Sequence, residues 1–165
     1  AAAAAAAAAV AAATAVTALP IDDYVAKPDD AYRWTVKTTT KDPAGFTWYN
    51  IELVSQRWLS PDATTVYEWH HWLQVCVPDG ARQAPIGLVF VGGGSNGGGA
   101  PPSLDVLAEL LCTATGLVTA TLLQVPNQPA KFASDPKQWS RKEDALIAYT
   151  WRHFIDTPTA PEWLA

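Results

Sequence analysis

Methionine is absent from this chain, even at position 1, so the sequence reads as processed or truncated. The far end is as abrupt, since residues 157–165 stop in a loop-like stretch without a closing element. Charge is sparse: 11 Lys and Arg stand against 16 Asp and Glu, for a formal net charge of −5. No basic stripe or Lys/Arg-rich helix exists to neutralise a phosphate backbone, so nucleic acid is not an expected partner. The cysteines number only 2 and the histidines only 3, too few and too scattered for a metal centre. Neither a metal nor a cofactor is expected.

What is present points to a packed body. Apolar residues make up 49% of 165, and 8 tryptophans each bring a large buriable surface. That supports one domain with a real core rather than disorder.

Residues 1–21 carry no charge, and residues 1–18 contain only Ala, Val and Thr. An apolar run ending in Val16, Thr17 and Ala18 resembles the core and cleavage site of a secretory signal peptide. A helix and a low-complexity tract are the rival readings, because alanine is the best helix former. An uncleaved anchor is a third, although alanine is too weakly apolar for a stable membrane span. The expected division is therefore 1–18 as a signal-peptide-like tract and 19–165 as the incomplete N-terminal portion of a domain.

Within 19–165 the polar stretch from Asp22 to Asp30, broken by Pro28, reads as a lead-in loop. Alternating β-rich runs at 32–38, 46–58 and 66–77 have turn signals between them and no helix, which predicts an antiparallel meander. The pattern then changes. Residues 86–91 form a continuous apolar run, as in a strand covered on both faces. A helix capped by Ser103 follows, with Leu104, Leu107, Ala108 and Leu111 on one side. Residues 118–123 give another buried strand. A capping box at Ser140–Glu143 opens a second helix whose apolar stripe is Ile147, Trp151, Phe154 and Ile155. The fold class is thus α/β, with antiparallel N-terminal strands leading into a parallel sheet with covering helices. Because each crossover helix needs another parallel strand, the remainder of its own chain is expected to complete the fold.

The segment from Gly92 to Gly99 is the most distinctive local feature, and it fits several patterns. Gly92, Gly94 and Gly97 spell a dinucleotide fingerprint, but Pro101 and Pro102 keep the helix from opening where a pyrophosphate would need it. No Gly-Lys-Ser/Thr follows for a P-loop. Gly93-Gly94-Ser95-Asn96-Gly97 matches a nucleophile elbow, which makes Ser95 a candidate nucleophile, but in a setting that lacks the required strand-to-helix turn. Better suited is an oxyanion hole, because glycines let backbone N–H groups approach a developing negative charge. A flexible surface loop without a ligand remains the alternative.

Other residues have plainer readings. His70 and His71 are adjacent in a strand and so face opposite sides. His153, with Asp156 nearby, suits a helix C-terminus. Trp69 and Trp72 have opposite parity, which favours core packing over a shared platform. Asn96, Asn127 and Gln128 can line a pocket at the end of a parallel strand, or can satisfy loop backbone instead. Cys76 and Cys112 are compatible with a disulfide in an oxidising compartment, and equally with two small buried hydrophobes.

Five segments occur in order: Leu19 to Val25, Tyr67 to Trp72, Val89 to Gly97, Gln124 to Pro129 and Glu143 to Trp151. Together they resemble the PhoPQ-activated pathogenicity-related (PqaA-type) family over residues 19–155. The resemblance implies a secreted α/β-hydrolase-like protein of several hundred residues, which is expected to be a serine hydrolase acting on an ester or peptide bond of a small-molecule or peptide substrate. Its bacterial members are linked to virulence and resistance to antimicrobial peptides, and a eukaryotic one is a secreted repressor of proliferation. A non-catalytic signalling or protective role on the same scaffold is therefore the alternative. The family's serine lies in a later segment, which leaves no catalytic residue here beyond the candidate Ser95. By analogy with hydrolases bearing a His-Gly-Gly-Gly loop, Gly93 and Gly94 are the oxyanion-hole positions, with Val91 replacing the histidine.

Overall fold

The computed structural model describes residues 19–81 and 85–164. The tract at 1–18, and with it the signal-peptide reading, lies outside the described residues. Among the described residues no helix is long and apolar enough to cross a membrane.

The antiparallel meander is present. Strand β1 (Arg33–Asp42) turns into β2 (Phe46–Arg57), and β3 (Glu68–Pro78) pairs along the other side of β2. The β1–β2 turn closes with the Gly45 amide donating to the Asp42 carbonyl at 3.1 Å. Gly45 has φ +94° there, a conformation costly for any residue with a Cβ. Next come β4 (Leu88–Val91), helix α1 of the α/β unit (Val106–Thr115), β5 (Thr119–Leu122) and helix α2 (Glu143–Asp156). Strand β5 inserts between its neighbours, antiparallel to β3 and parallel to β4, for an order β1-β2-β3-β5-β4.

Strand alternation sorts the sheet into two faces. Trp48, Cys76 and Thr119 share one, and helix α1 lies on it: Cys76 is disulfide-bonded to Cys112, and the Thr119 hydroxyl donates to the Ala108 carbonyl at 2.7 Å. Phe46, Trp48, Leu104 and Ala108 fill the space around the disulfide. Trp69 and His71 belong to the opposite face. Trp69 joins Trp58, Val66, Ala130, Phe132 and Leu146 in a second core, through which α2 docks. Trp58 meets Trp69 edge-on at 5.3 Å between ring centres and donates its indole N–H to the Glu162 carbonyl at 2.7 Å. Edge-to-face contact is the geometry aromatic quadrupoles favour.

Several expectations need correcting. Residues Pro20–Ala26 form a short helix rather than a loop, started by Pro20 and by Asp22, whose carboxylate accepts the Leu19 amide at 2.7 Å. Asp105, not Ser103, caps α1, accepting from the Leu107 and Ala108 amides at 3.1 and 3.0 Å. The box at Ser140–Glu143 does not form; Lys142 is the α2 cap residue and its side chain makes no capping bond. Strand β4 is not covered on both faces, since Val89 and Val91 are each 66% exposed. The stripe assigned to α2 is wrong in phase: Leu146 and Thr150 are buried, while Ile147, Trp151 and Ile155 face solvent.

Candidate functional site

The chain leaves β4 toward helix α1 on one face and leaves β5 toward α2 on the other. The loops at these two strand ends therefore diverge. Such a switch point is where open α/β sheets hold ligands. The two loops are the glycine segment at 92–99 and the segment at 124–129.

The second loop grips the first by its carbonyl groups. Gly92 C=O accepts from the Val125 amide at 3.1 Å, and Gly93 C=O from the Gln124 amide at 2.9 Å. Gly94 C=O accepts from Gln128 Nε2 at 3.0 Å, and Ser95 C=O from Gln124 Nε2 at 2.9 Å. A trans peptide unit is planar, so its N–H points opposite its C=O. The tied carbonyls of Gly92, Gly93 and Gly94 accordingly turn the amides of Gly93, Gly94 and Ser95 away from the donors that hold those carbonyls, whereas the Asn96 amide of the next peptide donates to the Gln128 carbonyl at 2.5 Å. None of these amides has an acceptor among the described residues. Gly94 stands at φ +136°, and an added Cβ there would lie 3.3 Å from Gln124 Cγ. Glycine is thus required where the row of amides bends.

The same two loops help wall a cleft of about 560 Å³, lined by Tyr67, Glu68, His70 and Trp72 of the β3 side and by Asn96, Gly97, Gly98, Gln124 and Asn127, so that its lining begins one residue past the amide row. Trp72 fixes the far end of the glycine loop, its indole N–H donating to the Gly98 carbonyl at 3.0 Å. Asn127 extends the sheet where β5 stops: its Oδ1 accepts the His70 amide at 2.8 Å, and its Nδ2 donates to the His70 carbonyl at 2.9 Å. Glu68 is held in a two-pronged pair by Arg33 at 2.7 and 3.1 Å, which keeps its carboxyl below the usual range. Lys37, at 2.9 Å, does the same for Glu52.

The proposed pocket residues thus separate. Asn96 and Asn127 line the cleft, whereas Gln128 does not and is spent on the loops. Gly93 and Gly94 belong to the amide row and are not among the residues that line the cleft. The Ser95 hydroxyl has no partner among the described residues, and the helix that follows opens only at Val106. His70 and His71 part as strand parity requires: His70 is half exposed, with Glu68 3.6 Å away, and His71 is buried. Burial pushes the His71 pKa down. Trp69 is a core residue as expected, but Trp72 belongs to the cleft. His153 stacks on Trp163 at 4.2 Å and reaches Ser134 at 3.2 Å, while Asp156 pairs with Arg152. Among the described residues no cluster of three His, Cys, Asp or Glu is arranged to hold a metal.

Two features of the site cannot be read along the chain. Gln124, at φ +64°, grips the loop with both its amide and its side chain, and Glu143, at φ +48°, meets Gln128 from the start of α2. Their partners lie 15 or more residues away. The one local hint is the polar, proline-rich 124–129 segment itself.

The chain is similar to several known proteins. The family model described as PhoPQ-activated pathogenicity-related protein matches residues 21–165. The Autocrine proliferation repressor protein A of Dictyostelium discoideum is 41% identical over 152 residues, which is 92% of this chain and 30% of that protein. Two solved structures of a glucuronoyl esterase from Solibacter usitatus superpose at a TM-score of 0.40 with 17% identity. They cover 83% and 78% of this chain, and 44% and 41% of theirs.

Proposed function

Because the chain belongs to the PhoPQ-activated pathogenicity-related protein family, we propose that it forms the oxyanion hole and one cleft wall of a secreted serine hydrolase. The observation that carries this reading is the row of unspent amides at Gly93, Gly94 and Ser95, held open by carbonyls tied on the opposite side. When a nucleophile adds to an ester or peptide carbonyl, the π electrons move onto oxygen. Fixed N–H donors aimed at that oxygen stabilise it without reorganising, which is commonly the largest single contribution to such catalysis. The serine, its histidine and its acid come from the rest of the whole protein, since this chain spans 30% of the length of the relative it matches. The same remainder supplies the next parallel strand of the α/β-hydrolase-like sheet.

Secretion is supported by the buried Cys76–Cys112 disulfide, a bond that persists in oxidising compartments, and by the Ala-rich tract at 1–18. A second reading, a secreted non-catalytic signalling or protective protein on the same scaffold, is favoured by the name of the 41% identical relative, a proliferation repressor.

Labelling separates the two. The folded full-length protein should react with a fluorophosphonate probe, and Gly93→Pro, which deletes one amide donor, should abolish the reaction without stopping secretion. Folded wild-type protein that takes no label would remove the hydrolase reading and leave the binding one.

A further inference from the structure

The Gln128 side chain does more than satisfy a loop. It is 2% exposed and uses its whole carboxamide. Nε2 donates to the Gly94 carbonyl at 3.0 Å and to Glu143 Oε1 at 2.7 Å. Oε1 accepts the Glu143 amide at 2.6 Å. The Gln128 carbonyl also accepts the Asn96 amide at 2.5 Å. One residue therefore joins the middle of the amide row to the first residue of α2.

Two residues that hold this loop in place have unfavourable backbone themselves. Gln124 at φ +64° and Glu143 at φ +48° lie in the left-handed region, which a side-chain-bearing residue enters only where its surroundings compel it. The compulsion at Glu143 is the paired bond to Gln128. Glycine at 94 leaves its own peptide units free to rotate, so the loop cannot hold the amides in place by itself. An external donor at the Gly94 carbonyl is what stops the 94–95 peptide from turning its N–H inward.

We infer that Gln128 is the positioning residue of the oxyanion hole, setting the Ser95 amide through the Gly94 carbonyl and fastening that setting to α2 through Glu143. This rests on the hydrolase reading above. A glutamine is needed because one side chain must both donate and accept. A carboxylate can only accept when ionised, and would face the Gly94 carbonyl and the Glu143 carboxylate without a proton to offer.

The test uses full-length protein and a chromogenic ester. In Gln128→Glu, kcat should fall about 10²- to 10³-fold with KM little changed, the size of effect seen when one oxyanion donor is lost. Combining Gln128→Glu with Glu143→Gln rebuilds the link to α2, because the carboxamide then sits on α2 and donates to the carboxylate at 128. The pair still offers nothing to the Gly94 carbonyl. The double variant should therefore regain most of the lost melting temperature while kcat stays low, and its crystal structure should show the 94–95 peptide rotated. Activity returning together with stability would reduce Gln128 to a structural role and overturn the inference. So would a crystal structure with the Gly94 carbonyl still facing residue 128. If wild-type protein neither turns over the ester nor takes a phosphonate, the hydrolase reading fails, and the crystal structure of the double variant still decides whether Gln128 sets this peptide.

Discussion

The hydroxyl of Ser55 lies 2.9 Å from Nε2 of His71, and Nδ1 of the same ring lies 3.1 Å from the Leu123 carbonyl. A carbonyl only accepts, so Nδ1 carries the proton and Nε2 accepts from Ser55. The ring is neutral in this arrangement and ties β2 to the end of β5, one residue before Gln124.

That tie fixes the sign of a pH effect. Burial lowers the folded-state pKa of His71, so below about 6.5 the unfolded chain binds a proton that the folded chain refuses. Stability is full above about pH 6.5 and falls as pH drops toward the folded-state value. Thermal melts between neutral and mildly acidic pH should show this decline, and His71→Gln should flatten it. An equal decline in the variant would assign the effect to other groups. Asp135, lowered by the Arg141 guanidinium at 2.5 Å, adds a loss of the same sign only in the strongly acidic range.

The Cys76–Cys112 bond closes a loop with a sequence separation of 36 and is fully buried against helix α1. A loop of that size corresponds to about 3–4 kcal/mol of stabilisation in the chain-entropy picture. Cys112→Ser should lower the unfolding free energy of the full-length protein by that order in urea titrations. A change well under about 1 kcal/mol would show that the bond is not formed.

How much of this is visible in the chain depends on the range of the interaction involved. The three antiparallel strands and the strand–helix–strand–helix order follow from local alternation and turn residues, and they are found. The split of His70 from His71 follows from strand parity alone. Local pattern puts the caps at Ser103 and Ser140, but a cap is decided by which oxygen reaches the first free amides, and Asp105 and Gln128 reach them better. Val91, Trp151 and Ile155 carry an apolar pattern and stand exposed, because such a pattern fixes the period of a helix or strand more firmly than the face that is buried. The sequence offers Gly93 and Gly94 as oxyanion-hole positions, but the glutamines that hold their loop are gathered by the crossover of β4 and β5, which no local pattern encodes.

Gly94 and Gly99 offer a contrast. Alanine at 94 meets Gln124 at 3.3 Å and must hold φ +136°, whereas nothing lies within 4 Å of a Cβ at 99. Gly94→Ala should cost about 1–3 kcal/mol and lower ester turnover, with Gly99→Ala near wild type in both. Equal behaviour of the two variants would mean that the loop geometry is not maintained in solution.

Strand β4 carries a prediction about the rest of the protein. The Leu88 and Gly92 amides bond toward β5, at 3.1 and 2.7 Å to the carbonyls of Val118 and Leu122. By alternation the Val89 and Val91 amides face the free edge. The proposal that a further strand pairs there predicts that hydrogen exchange on full-length protein finds these two as protected as Phe90. Fast exchange at Val89 and Val91 would place β4 at the true edge of the sheet.

The most direct measurement is a crystal structure of the full-length protein after reaction with a fluorophosphonate. The account predicts a covalent adduct whose phosphonyl oxygen sits about 2.7–3.1 Å from amide nitrogens of the Gly93, Gly94 and Ser95 row. An adduct whose oxygen points to other donors, with the amides of Gly93, Gly94 and Ser95 still unengaged, would contradict it.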